Sequence, residues 1–582
     1  MKTGRCDSGR ITESGRAAFL VSLLSVFIFC NTSFSQPEPL PDLRYAIVIK
    51  QGTWNITRWK QVCDTLSSSY KGRLFTWETS LSEVKDAVIS YRPTHICFVC
   101  DMSTALPSFI SGTLHPFTRS LDDDPYTDVI WSVLTGYPED AYRIAADTVT
   151  HLTRTLLSGT VSSDLEYYTQ GLSTHEATSG LFYVKHPDSI LVRSYTSAPT
   201  DRTSWLVSMI NSGIDSLDNA PVDIFITSGH GSYNLWQLHY PAKSPEGLFR
   251  SGSHVLTGAS AAGTYHPISS ANPKIYFGLG NCNIGQILND GCMAPAWMNK
   301  GGAFAYTGYV IDETANSYQH GGTRAYYYRM SRENTWSESW FLSNIALQFD
   351  LLNNTPGVSP VDLNGSAFYG DPGKIFKMSH EGQYRQPLVT NELIITHGPL
   401  KDTVKYRVTM NDDGEPGTNG KWGNRHPAMI LPFTATGIDI LSTDAITAVV
   451  EENFVLLYIW HKGLDPLKKG DTREVVFTCN KLTTGTGKPV AGNEKTGIID
   501  KIYPNPASSK ITINYKITGN TNVIIRLFDY NGALIDRINY PSQPPGSYSE
   551  DFDVSGLADG VYHFLIETSE SHESRKFVLA KN

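Results

Sequence analysis

The stretches DIFITSGHGS (residues 223–232) and KIYFGLGNCNIG (residues 274–285) decide how this chain folds. Each is an apolar run of strand length that stops at a small polar turn. One turn presents His230 and the other Cys282, 52 residues further on. A short continuous apolar run bounded by turn residues is the pattern of a strand buried on both faces. Strands of that kind belong to α/β sheets, whose functional groups gather outside the carboxyl ends of the strands.

Working outward, residues 44–101 alternate in the same way. Tyr45-Ala-Ile-Val-Ile49 reads as a strand, and Trp59, Val62, Cys63, Leu66 and Tyr70 recur at helical spacing. Arg73–Trp77 is a further strand. Ser80 and Glu83 form a capping-box pattern that opens a helix ending before Pro93. His95–Cys100 is the next strand. After a less regular stretch the pattern returns: Trp205–Ile210 helical, Val222–Thr227 and Lys274–Leu279 strands, Cys292–Asn299 a short helix, Ala303–Thr307 a strand. The expectation is a parallel sheet covered by helices, in two α/β subdomains over residues 36–170 and 171–385.

Beyond residue 385 the composition changes. Glu392–Thr396, Val404–Val408, Ile446–Val450 and Val455–Ile459 are strand-like, with Gly, Asp and Asn between them, so 386–482 reads as a β-sandwich. Residues 483–497 are a polar, glycine-rich linker. Residues 498–582 are again short strands with turn signals such as Tyr530-Asn-Gly532.

The N-terminus reads as a secretory signal. Lys2, Arg5, Arg10 and Arg16 precede an apolar run from Ala17 to Cys30, and small residues at Ser33 and Ser35 suit cleavage after Ser35. The apolar run is short for a membrane span, and Phe27-Ile-Phe29 before Cys30 lacks the small residues of a lipoprotein site. Without residues 1–35 the chain keeps 44 basic and 55 acidic residues, a charge of −11, and six irregularly spaced cysteines. A disulfide scaffold is not indicated. No basic cluster marks a nucleic acid or an anionic membrane as partner.

The chemistry follows from the residue types. A cysteine attacks a carbonyl as thiolate, and a neighbouring histidine takes its proton and later returns one to the leaving amine. The tetrahedral intermediate needs backbone donors, for which the N–H groups of Gly231 and Cys282 are candidates. Gly278, Gly280 and Gly285 leave room around the nucleophile. Cys97 and Cys100 form a CxxC inside an apolar strand and read as core. Cys292 reads as buried, and His239 and His320 as structural or surface residues near the site. Asp122, Asp123, Asp124 and Asp128 lack the regular alternation of calcium loops and read as a solvated turn.

Ser228-Gly-His-Gly-Ser232 and Gly280-Asn-Cys-Asn-Ile-Gly285, each closing a strand, resemble the gingipain family of caspase-like cysteine peptidases. Gly301–Ala305, Tyr369-Gly-Asp-Pro372 and the strand around Cys97–Asp101 are similar to that family's segments. The resemblance covers residues 44–380. It implies a caspase-like α/β fold, endopeptidase activity on protein or peptide substrates, His230 as acid/base, Cys282 as nucleophile and a following immunoglobulin-like domain. It implies no cofactor and no catalytic metal, and structural calcium is common in the family. Asn281 stands where the family has Ala or Gly, and the acidic partner of its histidine has no match here. The other reading is a peptidase-fold protein without turnover that serves surface adhesion or binding.

Ile502–Ala507, Leu527–Gly532, Gly560-Val-Tyr562 and Lys576–Lys581 are similar to the C-terminal sorting domain of the Por (type IX) secretion system. This resemblance implies passage through periplasm and outer membrane by the type IX machinery, then release or attachment at the cell surface.

Overall fold

The computed structural model describes residues 43–159, 165–175, 177–199, 202–212, 222–239, 245–278, 282–312, 322–328, 332–355, 358–398, 400–416, 426–461, 463–480, 498–517, 519–529, 534–568 and 572–581. The signal segment and the 483–497 linker lie outside them. Contacts divide the chain into two compact units, residues 1–485 and 486–582.

Twelve strands build the central sheet of the first unit. In chain order they are β1 Tyr45–Lys50, β2 Arg73–Trp77, β3 His95–Val99, β4 Ile130–Leu134, β5 Thr155–Ser158, β6 Gln170–Thr174, β7 Phe182–Lys185, β8 Arg193–Tyr195, β9 Ile224–Thr227, β10 Lys274–Gly278, β11 Ala303–Tyr309 and β12 Ser366–Gly370. Their spatial order is β2-β1-β3-β4-β12-β11-β10-β9-β5-β6-β7-β8. Strands β1, β3, β4, β9, β10, β11 and β12 are buried along their whole lengths save the last residue of β1. That is why they read as unbroken apolar runs.

The sheet is mixed where a parallel one was expected. β2, β1, β3, β4 and β12 run parallel to one another, and so do β11, β10, β9, β5 and β6. The two blocks meet antiparallel at β11 and β12, where Tyr309 faces Ser366 and Ala305 faces Gly370. The carboxyl ends of β9, β10 and β11 therefore share one edge of the sheet with the amino ends of β12, β4, β3 and β1.

Helices α1 Thr57–Tyr70, α2 Ser82–Tyr91, α3 Pro138–Ala146, α4 Arg202–Ser212, α5 Met293–Lys300 and α6 Trp336–Leu352 belong to the same unit. α1 buries Trp59, Val62, Cys63 and Leu66. Glu83 in the first turn of α2 accepts from the backbone N–H of Glu78, Thr79 and Ser80 in the chain leading in, while the N-cap is Leu81 without a side-chain cap, so only the Glu83 half of the expected capping box forms. α6 opens with a full capping box: the Thr335 hydroxyl accepts from the Glu338 N–H at 3.2 Å, and the Glu338 carboxylate from the Thr335 N–H at 2.5 Å.

The β-sandwich of residues 389–480 packs in the same unit. Val389–His397, Lys401–Met410, Thr472–Asn480 and Asp439–Thr443 form one sheet, and Ala428–Ile430, Phe454–Tyr458 and Thr447–Val450 the other. Lys401–Met410 alternates half-buried and buried residues, with Val404, Tyr406, Val408 and Met410 inward, as a strand with one covered face does. Phe341, Ile345 and Phe349 of α6 pack against Ala428, Phe454 and Leu456, joining sandwich and sheet. The second unit holds a three-stranded and a four-stranded antiparallel sheet around Ile511, Ile513, Ile525, Phe564 and Phe577. Among the described residues no helix is long and apolar enough to cross a membrane.

Candidate active site

β9 and β10 are neighbours in parallel register, with Thr227 opposite Gly278. The turns bearing His230 and Cys282 thus leave adjacent strands at one edge of the sheet.

The histidine turn is shaped by two local features. Gly229 has φ +93°, a backbone conformation that side chains disfavour. The buried Trp236 donates its indole N–H to the Ser228 carbonyl at 2.6 Å, and the Gln237 N–H donates to the His230 carbonyl at 2.9 Å. His230 itself is exposed. Gly231 then enters an antiparallel pairing with Trp236, the first rung of a five-stranded sheet over residues 231–267. His239 lies on that sheet near Pro245, and His320 lies outside the described residues.

The cysteine turn is clamped from below. Cys282 is half-buried and takes part in no disulfide. Asn283 follows at φ +58°, in the left-handed region that asparagine tolerates better than most residues. Its Nδ2 donates to Asp312 Oδ1 at 2.5 Å, and its Oδ1 accepts from Gln286 Nε2 at 2.7 Å. Gln286 Nε2 also reaches the Val310 carbonyl at 2.9 Å. Two buried tyrosines hold the next carbonyls: Tyr306 Oη donates to Ile284 at 2.7 Å, and Tyr369 Oη to Gly285 at 2.6 Å. Burial holds both phenols well above the usual tyrosine range, so they remain donors. Gly285 lies so close to β11 that a Cβ there would meet the Gly308 carbonyl oxygen at 2.6 Å. Leu279, Gly280 and Asn281 lie outside the described residues.

The remaining thiols are unlike Cys282 in setting. Cys97 and Cys100 sit in the core beside Cys63, and burial raises all three thiols, Cys63 to about 12. Cys292 precedes α5, fully buried, its sulfur accepting from the Leu288 N–H at 3.2 Å, and burial raises its thiol as well. Buried, protonated thiols are poor nucleophiles.

The acidic run, read from the sequence as a solvated turn, brings three carboxylates together. Carboxylate oxygens of Asp122, Asp124 and Asp128 lie within 4.8 Å of one another. Burial, then Asp122, pushes Asp128 up to about 9, and burial, then Asp124 and Asp122, pushes Glu451 of the sandwich up to about 7. An all-carboxylate donor set suits a hard divalent cation such as calcium. Glu451 comes near this run from a distant strand turn, a proximity the sequence does not show.

Tyr306, Tyr369, Asn283, Gln286 and Asp312 were not singled out as site residues from the sequence. The Tyr369-Gly-Asp-Pro372 phrase was the available signal for one of them.

Comparison with known proteins places the C-terminal unit. Residues 501–580 match the family described as the secretion system C-terminal sorting domain. No curated protein matches the chain. Among solved structures, a polysaccharide lyase is similar at 9% identity over 34% of this chain and 35% of its own, with a TM-score of 0.14. PorZ, a surface component of the type IX secretion system of Porphyromonas gingivalis, is similar at 11% identity over 70% of this chain and 51% of its own, with a TM-score of 0.12. Neither likeness describes this fold. The C-terminal unit carries a type IX sorting domain, so the chain interacts with that machinery and is exported to the cell surface or the medium.

Proposed function

We propose that the exported chain is a cysteine endopeptidase of caspase-like type acting through Cys282 and His230. The observation that carries this reading is the register of β9 against β10, from whose adjacent ends the two turns emerge. In the proposed reaction His230 takes the Cys282 proton, and the thiolate attacks the carbonyl carbon of the scissile peptide bond. The oxyanion is met by backbone N–H groups, with Gly231 and Cys282 as candidates. His230 protonates the leaving amine as the C–N bond breaks. Water, deprotonated by His230, then hydrolyses the thioester and regenerates the thiol.

The test is a peptide-library digest read by mass spectrometry, beside Cys282→Ala, with a thiol-directed probe on the folded protein. Cleavage lost in Cys282→Ala, and labelling of Cys282 that weakens in His230→Ala, are expected. An inert Cys282 with uncut peptides sinks the reading and leaves the chain as a surface binding protein.

A further inference from the structure

A cavity of about 870 Å³ lies between the central sheet and the sandwich, away from the Cys282 turn. Its floor is formed by the amino ends of β1, β3 and β4, through Arg44, Thr94, His95, Val129 and Ile130. Those ends share the sheet edge from which His230 and Cys282 emerge. β4 stands three strands from β10 in the sheet order, about 14 Å along that edge at the usual strand spacing.

The lining is apolar on one side and acidic on another. Val129, Ile130, Phe341, Leu431 and Phe433 supply the apolar wall. His95, 4% exposed, meets the Thr94 hydroxyl with Nδ1 at 3.0 Å, and its Nε2 has no hydrogen-bond partner among the described residues. Burial lowers its pKa to about 4, so it lies in the cavity as a neutral acceptor or donor. Asp122, Asp123 and Asp128 form the acidic wall. Asp128 Oδ2 accepts from the Leu121 N–H at 2.8 Å, whereas its Oδ1 is sealed from solvent and has no hydrogen-bond partner among the described residues.

The basic residues of the cavity are largely committed elsewhere. Arg92 pairs with Glu452 at 2.7 Å, Arg44 donates to the Arg92 carbonyl at 2.5 Å, and Lys377 to the Glu333 carbonyl at 3.3 Å. Lys85, on α2, is the remaining cation of the lining. Burial keeps Asp128 protonated near neutral pH, and the negative charge of the wall is that of Asp122 and Asp123, neither of which pairs with a lysine or arginine among the described residues.

We propose that this cavity is a second binding site, which takes a polypeptide segment bearing a lysine or arginine. The cationic side chain sits against Asp122, Asp123 and Asp128, and its apolar neighbours against Phe341 and Leu431. Domain interfaces are where such cavities collect ligands, and charge complementarity fixes their orientation. An extended chain covers about 14 Å in roughly four residues. On the peptidase reading, one substrate could therefore occupy both places, with a basic flank held while the bond is cut.

The test uses the chain without its signal segment and with Cys282→Ala, so that binding is read apart from catalysis. Fluorescein-labelled (Leu-Lys)4 and (Leu-Glu)4 are titrated by anisotropy at physiological salt. The lysine peptide is expected to bind and the glutamate peptide not to. Asp122→Asn/Asp123→Asn should weaken binding at least tenfold, and so should Asp123→Lys, which alters an exposed side chain and leaves the fold intact. Asp64→Asn/Glu139→Gln, the same charge change on α1 and α3, should leave binding unaltered. Equal binding of both peptides, or binding indifferent to the Asp122 and Asp123 changes, overturns the proposal. Terbium luminescence that depends on these carboxylates, with no lysine-peptide binding, overturns it too and makes the wall a cation site only.

Discussion

At the scale of single residues, the Cys282 turn is held by side chains other than the cysteine itself. Asn283 pays the strain of a left-handed backbone, which its side chain offsets through Asp312 and Gln286. Asn283→Ala keeps Cys282 and removes both hydrogen bonds. On the peptidase reading, the rate constant for turnover should fall tenfold or more with KM little changed, and thiol labelling of Cys282 should slow in parallel. Gly285→Ala places a Cβ against the Gly308 carbonyl and should cost about 1–3 kcal/mol as an overpacked site. Urea unfolding measures it, and an unchanged midpoint would refute the close approach. The candidate residues His230 and Cys282 were legible because their turns break apolar runs. Tyr306 and Tyr369 were not, because a tyrosine inside a buried strand looks like any other core aromatic.

At the scale of elements, α6 shows why periodicity missed a principal piece of the fold. WSESWFLSNIALQFDLL is buried around nearly its whole circumference, small polar residues included, since one side packs on the sheet through Trp340 and Trp131 and the other on the sandwich. A helix covered on all sides has no amphipathic stripe to read. The same helix carries a buried pair, Asp350 Oδ1 to His426 Nε2 at 2.9 Å, each 1% exposed. Thr355 adds a hydroxyl donor to that carboxylate at 3.0 Å. Removing one partner of a buried pair leaves the other uncompensated, so His426→Ala should destabilise the first unit by about 3–5 kcal/mol. The measurement is chemical unfolding followed by tryptophan fluorescence, and a loss below about 1 kcal/mol would contradict a buried, paired site.

At the scale of the molecule, the carboxylates shared by sheet and sandwich set a pH dependence. Asp128 and Glu451 are raised in the folded protein, so folding retains protons that the unfolded chain gives up near the ordinary carboxylate values of about 4. Stability contributed by these groups is full below that pH and is lost as pH rises toward about 7 for Glu451 and about 9 for Asp128. Asp128→Asn, measured in EDTA, should therefore raise the melting temperature at pH 8 and change it little at pH 4. An equal shift at both pH values would remove the carboxylate from the account.

Several conclusions rest on sequence alone. Unbroken apolar runs announce doubly covered strands, alternating ones announce the sandwich, and the C-terminal phrases announce export, because each is a local pattern imposed by a local environment. Tertiary structure decided the rest. A strand contributed late, Ser366–Gly370, inserts beside β11 and reverses the sheet's direction, which brings opposite strand ends to one edge. No local pattern encodes which strands become neighbours, since pairing partners lie up to hundreds of residues apart and are chosen by burial of the whole sheet. The cavity beside that edge and the tyrosine clamps exist only through that choice.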